Sequence, residues 1–241
     1  MYDSVGLEQR VSKLLEESKI SEHDPAHMKR VHLYQRKINR GEGNLVDDEI
    51  MHANSWLHDV GHISYNSEDP TSFDKHPERS VEIAKKILPE VGFPEEKLEL
   101  VLKAIRWHDD TKPWGTHQKF DEPEVLILQD ADNLEAIGEI GVKRLIAYGN
   151  TVNMPYFIPE LSWDDPEAKS KSILHNIYAH LNIYNLLNTK TAKEIAKPML
   201  KHMYDFIKQE IIKFYSAKDE HEIADKIPPF PIKELFADKI N

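Results

Sequence analysis

Apolar residues recur along nearly the whole chain at spacings of three and four, and no stretch alternates in the way a half-buried strand requires. Val5 to Ser18 places Leu7, Val11, Leu14 and Leu15 on one side, the pattern of an amphipathic helix. A second helix opens near Pro25 and carries His27, Val31, Tyr34 and Ile38 at i, i+4, i+7 and i+11, until Gly41 and Gly43 stop it. A third runs from about Asp47 to Val60, with Asp47 or Asp48 as its cap and Gly61 as its terminator. A fourth starts near Pro77, buries Val81, Ala84 and Leu88, and ends before Gly92-Phe93-Pro94. The fifth, Glu95 to about His108, has Leu98, Val101, Leu102 and Ile105 as its core face. His108 lies three residues past Ile105 and continues that face.

A polar and aromatic loop, TKPWGTHQKF, follows. Asp121-Glu122-Pro123-Glu124 then gives a helix start, and Val125 to Ile137 is the most apolar helix, with Asp132 four residues after Leu128. Thr151 to Asp165 is punctuated by proline and reads as an irregular lid or rim. Two long helices are expected after it, about Pro166–Leu187 and Thr191–Ser216, the second opened by the box Thr191-x-x-Glu194. The tail, IPPFPIKELFADKIN, reads as an extended segment packed on the body. The pattern predicts an all-α helical bundle in one domain over 1–241, with a core at about 22–150, a helical extension at about 166–216 and a tail at 217–241.

Composition narrows the chemistry. Glycine contributes 9 of 241 residues, below the usual ~7%, and no glycine-rich phosphate loop of the GxGxxG or GxxxxGK[ST] type occurs. With no cysteine, disulfides, thiolate zinc sites and a cysteine nucleophile are excluded. Lys+Arg 31 against Asp+Glu 42 leaves a net charge of −11, a surface that repels duplex nucleic acid but permits a small phosphorylated ligand beside a local cation. The N-terminal MYDSVGLEQR lacks an apolar signal core, and the apolar runs are too short to span a bilayer, so a soluble cytoplasmic protein with no membrane partner is expected. Of 13 histidines, nine precede residue 120.

Their arrangement carries the chemistry. His58-Asp59 sits near the end of an apolar helix, where both side chains reach one ion only if it lies beside the helix end. His27 shares the inward face of Val31, and Asp132 lies on a helix too apolar to be a surface element. A buried carboxylate there is costly unless paired with a cation, and Asp132 has two structural alternatives, capping or pairing with an arginine such as Arg106 or Arg144. Two imidazoles and two carboxylates make an open site suited to Mn²⁺, Fe²⁺, Ni²⁺ or Mg²⁺, the kind hydrolysis uses.

The ordered set His, His-Asp, Asp on separate helices resembles the HD-domain superfamily of metal-dependent phosphohydrolases. The blocks HDPAHMKRV, ANSWLHDVGH, HPERSVEIAKKIL, AIRWH and LILQDADNLEAIGEIGVKRLIAYG resemble, in that order, a bacterial branch that includes the YedJ-like and YpgQ-like proteins. The resemblance places the metal ligands on His27, His58, Asp59 and Asp132. Both His23 and His27 occur in the first block, and only His27 lies within the expected helix on the Val31 face. Asp59 is then also a catalytic residue beside the attacking water. His62 falls where relatives hold a group near that water or the phosphate. His76 and His108 fall where six-ligand members bind a second metal and mononuclear members contact phosphate.

For substrate contacts, Arg30, Lys112 and Lys143 are the favoured cations, with Arg106 and Arg144 also near the motifs. Trp107, Trp114 and Phe120 could stack on a base, and Thr111-Lys112-Pro113-Trp114 is the candidate specificity loop. The expected function is hydrolysis of a phosphate ester or anhydride in a nucleotide or another small phosphorylated metabolite. It would use one divalent ion, with room for a second. A six-ligand di-iron oxygenase and a non-catalytic metal- or nucleotide-binding signalling domain are the alternatives. The sequence permits a homodimer without specifying one.

Overall fold

A computed structural model describes residues 1–16, 24–64, 69, 74–110 and 118–232. Among these residues there is no strand. The α-helices are α1 (Ser4–Glu16), α2 (Pro25–Gly41), α3 (Asp48–Leu57), α4 (His76–Glu90), α5 (Glu95–Trp107), α6 (Pro123–Glu135), α7 (Gly138–Thr151), α8 (Ile173–His180) and α9 (Lys190–Tyr215). Two compact units divide them, Met1–Asp132 with Asn188–Ala192, and Asn133–Leu187 with Lys193–Asn241. No helix among the described residues is long and apolar enough to cross a membrane.

The first unit is a helical core around α3, which is buried from Ile50 to Leu57. Leu7, Val11, Met28, Val31, Ile38, Trp56, Leu88, Val101, Ile105 and Leu128 fill it. Burying such side chains contributes roughly 1.5–3 kcal/mol each, the main term holding the helices together. Several polar groups inside the core pair with one another. Gln35 Nε2 donates to Asn54 Oδ1 at 2.8 Å, and Asn39 exchanges two bonds with the Val46 backbone at 2.8 and 3.0 Å. Asp24 caps α2, its carboxylate accepting from the His27 N–H at 2.7 Å, which fixes the first turn where the ligand candidate sits.

The sequence places α3 and α6 well, with corrections at their ends. α3 stops at Leu57, His58 takes the C-cap position, and Val60–Ser64 continues as a 3-10 turn rather than ending at Gly61. α6 begins at Pro123, with the Glu122 carbonyl accepting from the Val125 and Leu126 N–H groups, one residue beyond the expected Asp121 cap. α9 starts at Lys190 and is capped by Thr189, whose hydroxyl accepts from the Ala192 N–H at 3.2 Å. Thr191 instead donates its own N–H to Glu42.

The second unit overturns one expectation. Residues 166–187 are not a long helix but a 3-10 turn at Ala168–Ser170, then α8, then a 3-10 stretch at Leu181–Leu186. The reason lies in a loop upstream. The Pro155 and Tyr156 carbonyls take the Ile173 and Leu174 N–H groups at 2.9 and 3.0 Å, and Ser172 is extended, so the helix must begin there. Gly149 of α7 lies against Ile173, where a Cβ would stand 2.4 Å from Cγ1. The Tyr178 and Tyr204 hydroxyls donate to the Pro229 and Pro228 carbonyls at 2.8 Å, holding the described part of the tail on this unit.

Candidate metal centre

Three helices deliver the candidate ligands to one place. His27 comes from the first turn of α2, His58 from the C-cap of α3 with Asp59 next to it, and Asp132 from α6. His27 Nε2 lies 3.2 Å from His58 Nε2 and 3.3 Å from Asp59 Oδ2, and His58 Nε2 lies 3.2 Å from the same Oδ2. Asp132 Oδ1 closes the group at 3.7 Å from His27 and 3.9 Å from His58. The other three are buried, while the Asp132 side chain keeps 14% of its surface open.

The second oxygen of Asp59 serves a second group. Asp59 Oδ1 is 3.1 Å from His76 Nε2 and 3.2 Å from His108 Nε2, and those two nitrogens are 3.0 Å apart. His76 is the first residue of α4 and His108 the C-cap of α5. Both groups have the composition and spacing of metal sites.

Donor chemistry shows that cations fit here. His58 Nδ1 is 2.8 Å from the Ser55 carbonyl, and His108 Nδ1 is 2.7 Å from the Ile105 carbonyl, so each Nδ1 carries the proton it donates. In the neutral ring the lone pair is then on Nε2, aimed at an Asp59 oxygen that can only accept. Acceptors facing each other at 3.2 Å in a buried site repel unless a cation or an extra proton lies between them. Burial pulls the pKa of His108 down, but the Asp59 hydrogen bond and the Asp109 charge outweigh burial and hold it above the ordinary imidazole value.

His62, also buried, lies beside the second group. Its ring stacks on His76 with centroids 4.0 Å apart at 16°, and its Nε2 is 3.9 Å from Asp59 Oδ1. The His62 N–H donates to the Asp59 carbonyl at 3.0 Å, closing the turn that holds both. A participant the sequence reading passed over is Asp109, buried, with Oδ2 3.7 Å from His76 Nε2. The run His108-Asp109-Asp110 just past a helix end was its available signal.

The remaining candidates separate. Arg30 is half-buried on α2, one turn after His27. Lys143 is exposed on α7 and donates to Glu139 at 2.6 Å. Lys112, Trp114 and the rest of the specificity loop lie outside the described residues, as does His23. Trp107 and Phe120 pack on each other at 5.4 Å. The arginines offered as partners for Asp132 pair elsewhere, Arg144 with the buried Glu135 and Arg106 with Glu78. Asp130, two residues from Asp132, is structural. It accepts from the backbone and side chains of Asn188 and Thr189 and so anchors the start of α9. Of the other histidines, His52 lies between Tyr2 and Glu8, and His175 stacks on Trp163.

Comparison with known proteins agrees with this geometry. A model of the HD domain family matches residues 26–137, a segment that contains every ligand candidate. Residues 26–137 thus resemble an HD domain. Among solved structures, an HD-superfamily hydrolase from Bacillus thuringiensis is 25% identical with a TM-score of 0.66, over 88% of this chain and 96% of that one. A Lactobacillus plantarum protein is 22% identical with a TM-score of 0.66, over 88% and 97%. Bacillus subtilis YpgQ, solved in complex with ADP, is 22% identical with a TM-score of 0.62, over 88% and 97%. No curated protein matches by sequence. The HD domain and its hydrolase neighbours support a metal-dependent phosphohydrolase in general, and the buried His/Asp groups are suited to divalent metal.

Proposed function

We propose that the protein hydrolyses a phosphate ester or anhydride of a nucleotide or another small phosphorylated metabolite, using a two-metal centre built on Asp59. The observation that carries this reading is the division of the Asp59 carboxylate, with Oδ2 toward His27 and His58 and Oδ1 toward His76 and His108. Divalent ions in such a setting polarise a phosphoryl oxygen and lower the pKa of water. The oxygen and nitrogen donors, without sulfur, suit Mn²⁺, Fe²⁺, Ni²⁺ or Mg²⁺.

The chain's own residues supply the rest. Asp59 and Asp132 bring negative charge that neutral imidazoles lack, so the centre prefers dications to protons. The Ser55 and Ile105 carbonyls hold His58 and His108 in the tautomer that leaves Nε2 as the donor atom. His62 stands beside Asp59 Oδ1 and is placed to take a proton at its Nε2 or return one to the leaving oxygen. Arg30, three residues after His27, and Lys112, four residues after His108 in the sequence, are the cations proposed for the charge of a phosphate. Lys143 stays a weaker candidate, since Glu139 already engages it. The ADP bound by YpgQ, a protein of the same fold, supports a nucleotide as the substrate.

The test combines elemental analysis with phosphate release over a panel of nucleoside mono-, di- and triphosphates and sugar phosphates. Two ions per chain and metal-dependent phosphate release are expected. The His76–His108 pair also fits a di-iron oxygenase, and oxygen uptake by the Fe²⁺-loaded protein without phosphate release would establish that reading instead.

A further inference from the structure

Gly61 stands between Asp59 and His62 with both of its backbone polar groups held by α4. Its N–H donates to Ser80 Oγ at 2.8 Å, and its carbonyl accepts from Arg79 Nε at 3.0 Å. Ser80 is fully buried and Arg79 half-buried. A Cβ at position 61 would stand 2.2 Å from the His76 carbonyl oxygen and 2.8 Å from the Ser80 nitrogen, so the first turn of α4 lies directly on bare glycine backbone. That turn begins with His76, whose Nε2 is 3.1 Å from Asp59 Oδ1.

We propose that Arg79 and Ser80 are positioning residues that clamp the Asp59–His62 turn to α4 through Gly61, and thereby set the half of the centre that His76 shares with Asp59. The proposal rests on the two-metal reading above. Asp59 and His76 belong to different elements, each at an element's end, where a ligand side chain is least constrained by its own helix. Consecutive residues of α4 grip the amide and the carbonyl of a single residue, which fixes both the distance and the rotation between turn and helix. Partners that orient a ligand in this way are typically worth about 10–100-fold in metal affinity.

Arg79 lets positioning be separated from charge. The Nε2 of glutamine is as many bonds from Cα as the Nε of arginine, so Arg79→Gln keeps a donor for the Gly61 carbonyl and drops the charge. Arg79→Lys keeps the charge with no donor at that place, and Arg79→Met removes both. The purified full-length chain and its Ser80→Ala, Arg79→Met, Arg79→Lys and Arg79→Gln variants would be titrated with Mn²⁺. Ions per chain are counted by elemental analysis, and exchange coupling is read by electron paramagnetic resonance. Thermal melts of the metal-free forms identify variants that fold, and the half-buried position 79 carries the test if Ser80→Ala does not fold.

The wild type should bind two coupled ions. Ser80→Ala, Arg79→Met and Arg79→Lys should lose the coupled signal, with the second ion bound about 10–100-fold more weakly, while Arg79→Gln keeps it. A coupled signal that survives in Ser80→Ala and Arg79→Met overturns the clamp, as does rescue by lysine where glutamine fails. A wild type that never holds two ions overturns the two-metal reading itself, a result distinct from either.

Discussion

On one side of Asp59 stand His27, His58 and Asp132, on three helices. On the other stand His76 and His108, at the first residue of one helix and the C-cap of another. The first side joins two imidazoles to two carboxylates, Asp59 Oδ2 and Asp132, within 3.2–3.9 Å. The second has only Asp59 Oδ1 in direct reach, with Asp109 3.7 Å from His76. The richer anionic set makes the first side the stronger site for a dication, and the second depends on how accurately its helix ends are held. The difference teaches that the two ions should load in order and be separable by mutation.

The largest effect is expected at the carboxylate both sides share. Asp59→Ala should leave neither ion bound, with phosphate release down by at least about 10²–10³-fold. Retained metal-dependent turnover in that variant would break the whole scheme. Next, Asp132→Ala should abolish tight binding of the first ion and lower activity by a similar order, since the first side loses half its negative charge. Elemental analysis showing full loading in Asp132→Ala would refute the ranking of the two sides.

His108→Ala should be milder, keeping one ion per chain while the second is lost or weakened by about 10–100-fold. A variant with both ions gone would show that the sides are not separable. Removing metal with a chelator should lower the melting temperature, because ions that bind only the folded chain stabilise it by mass action. The shift should be smaller for His108→Ala than for wild type.

Smallest in metal terms is Asp130→Ala. It should leave metal content unchanged yet destabilise the fold by about 1–3 kcal/mol, because the Asn188 and Thr189 N–H groups and the Thr189 hydroxyl lose the buried Asp130 carboxylate as their acceptor. A denaturant melt together with a metal count checks it. Loss of metal in this variant would erase the distinction between Asp130 and Asp132.

How far the site was legible follows from where each residue sits. His27 and Asp132 lie inside periodic helices, so the spacing of Val31 and Leu128 already turned them inward. His58-Asp59 stood out as two adjacent ligand-type residues at the end of an apolar helix. His76 opens its helix, where periodicity carries no direction, and only resemblance marked it, whereas His108 continued the face of Ile105 and drew only its role from resemblance. Asp109, Arg79 and Ser80 were not picked out, because their roles come from neighbours distant in sequence: Ser80 is 19 residues from Gly61. The long helix expected at 166–187 failed for the same reason. The Pro155 and Tyr156 carbonyls that start α8 belong to a loop upstream, and no local pattern records them.

The sequence by itself determined the all-α class, the positions of most helices and the four principal ligand candidates, because helical periodicity and apolar burial are local properties of the chain. Tertiary structure alone decided that one carboxylate faces two histidine pairs and that α4 grips Gly61. Those are distances between segments far apart in sequence, and packing sets them.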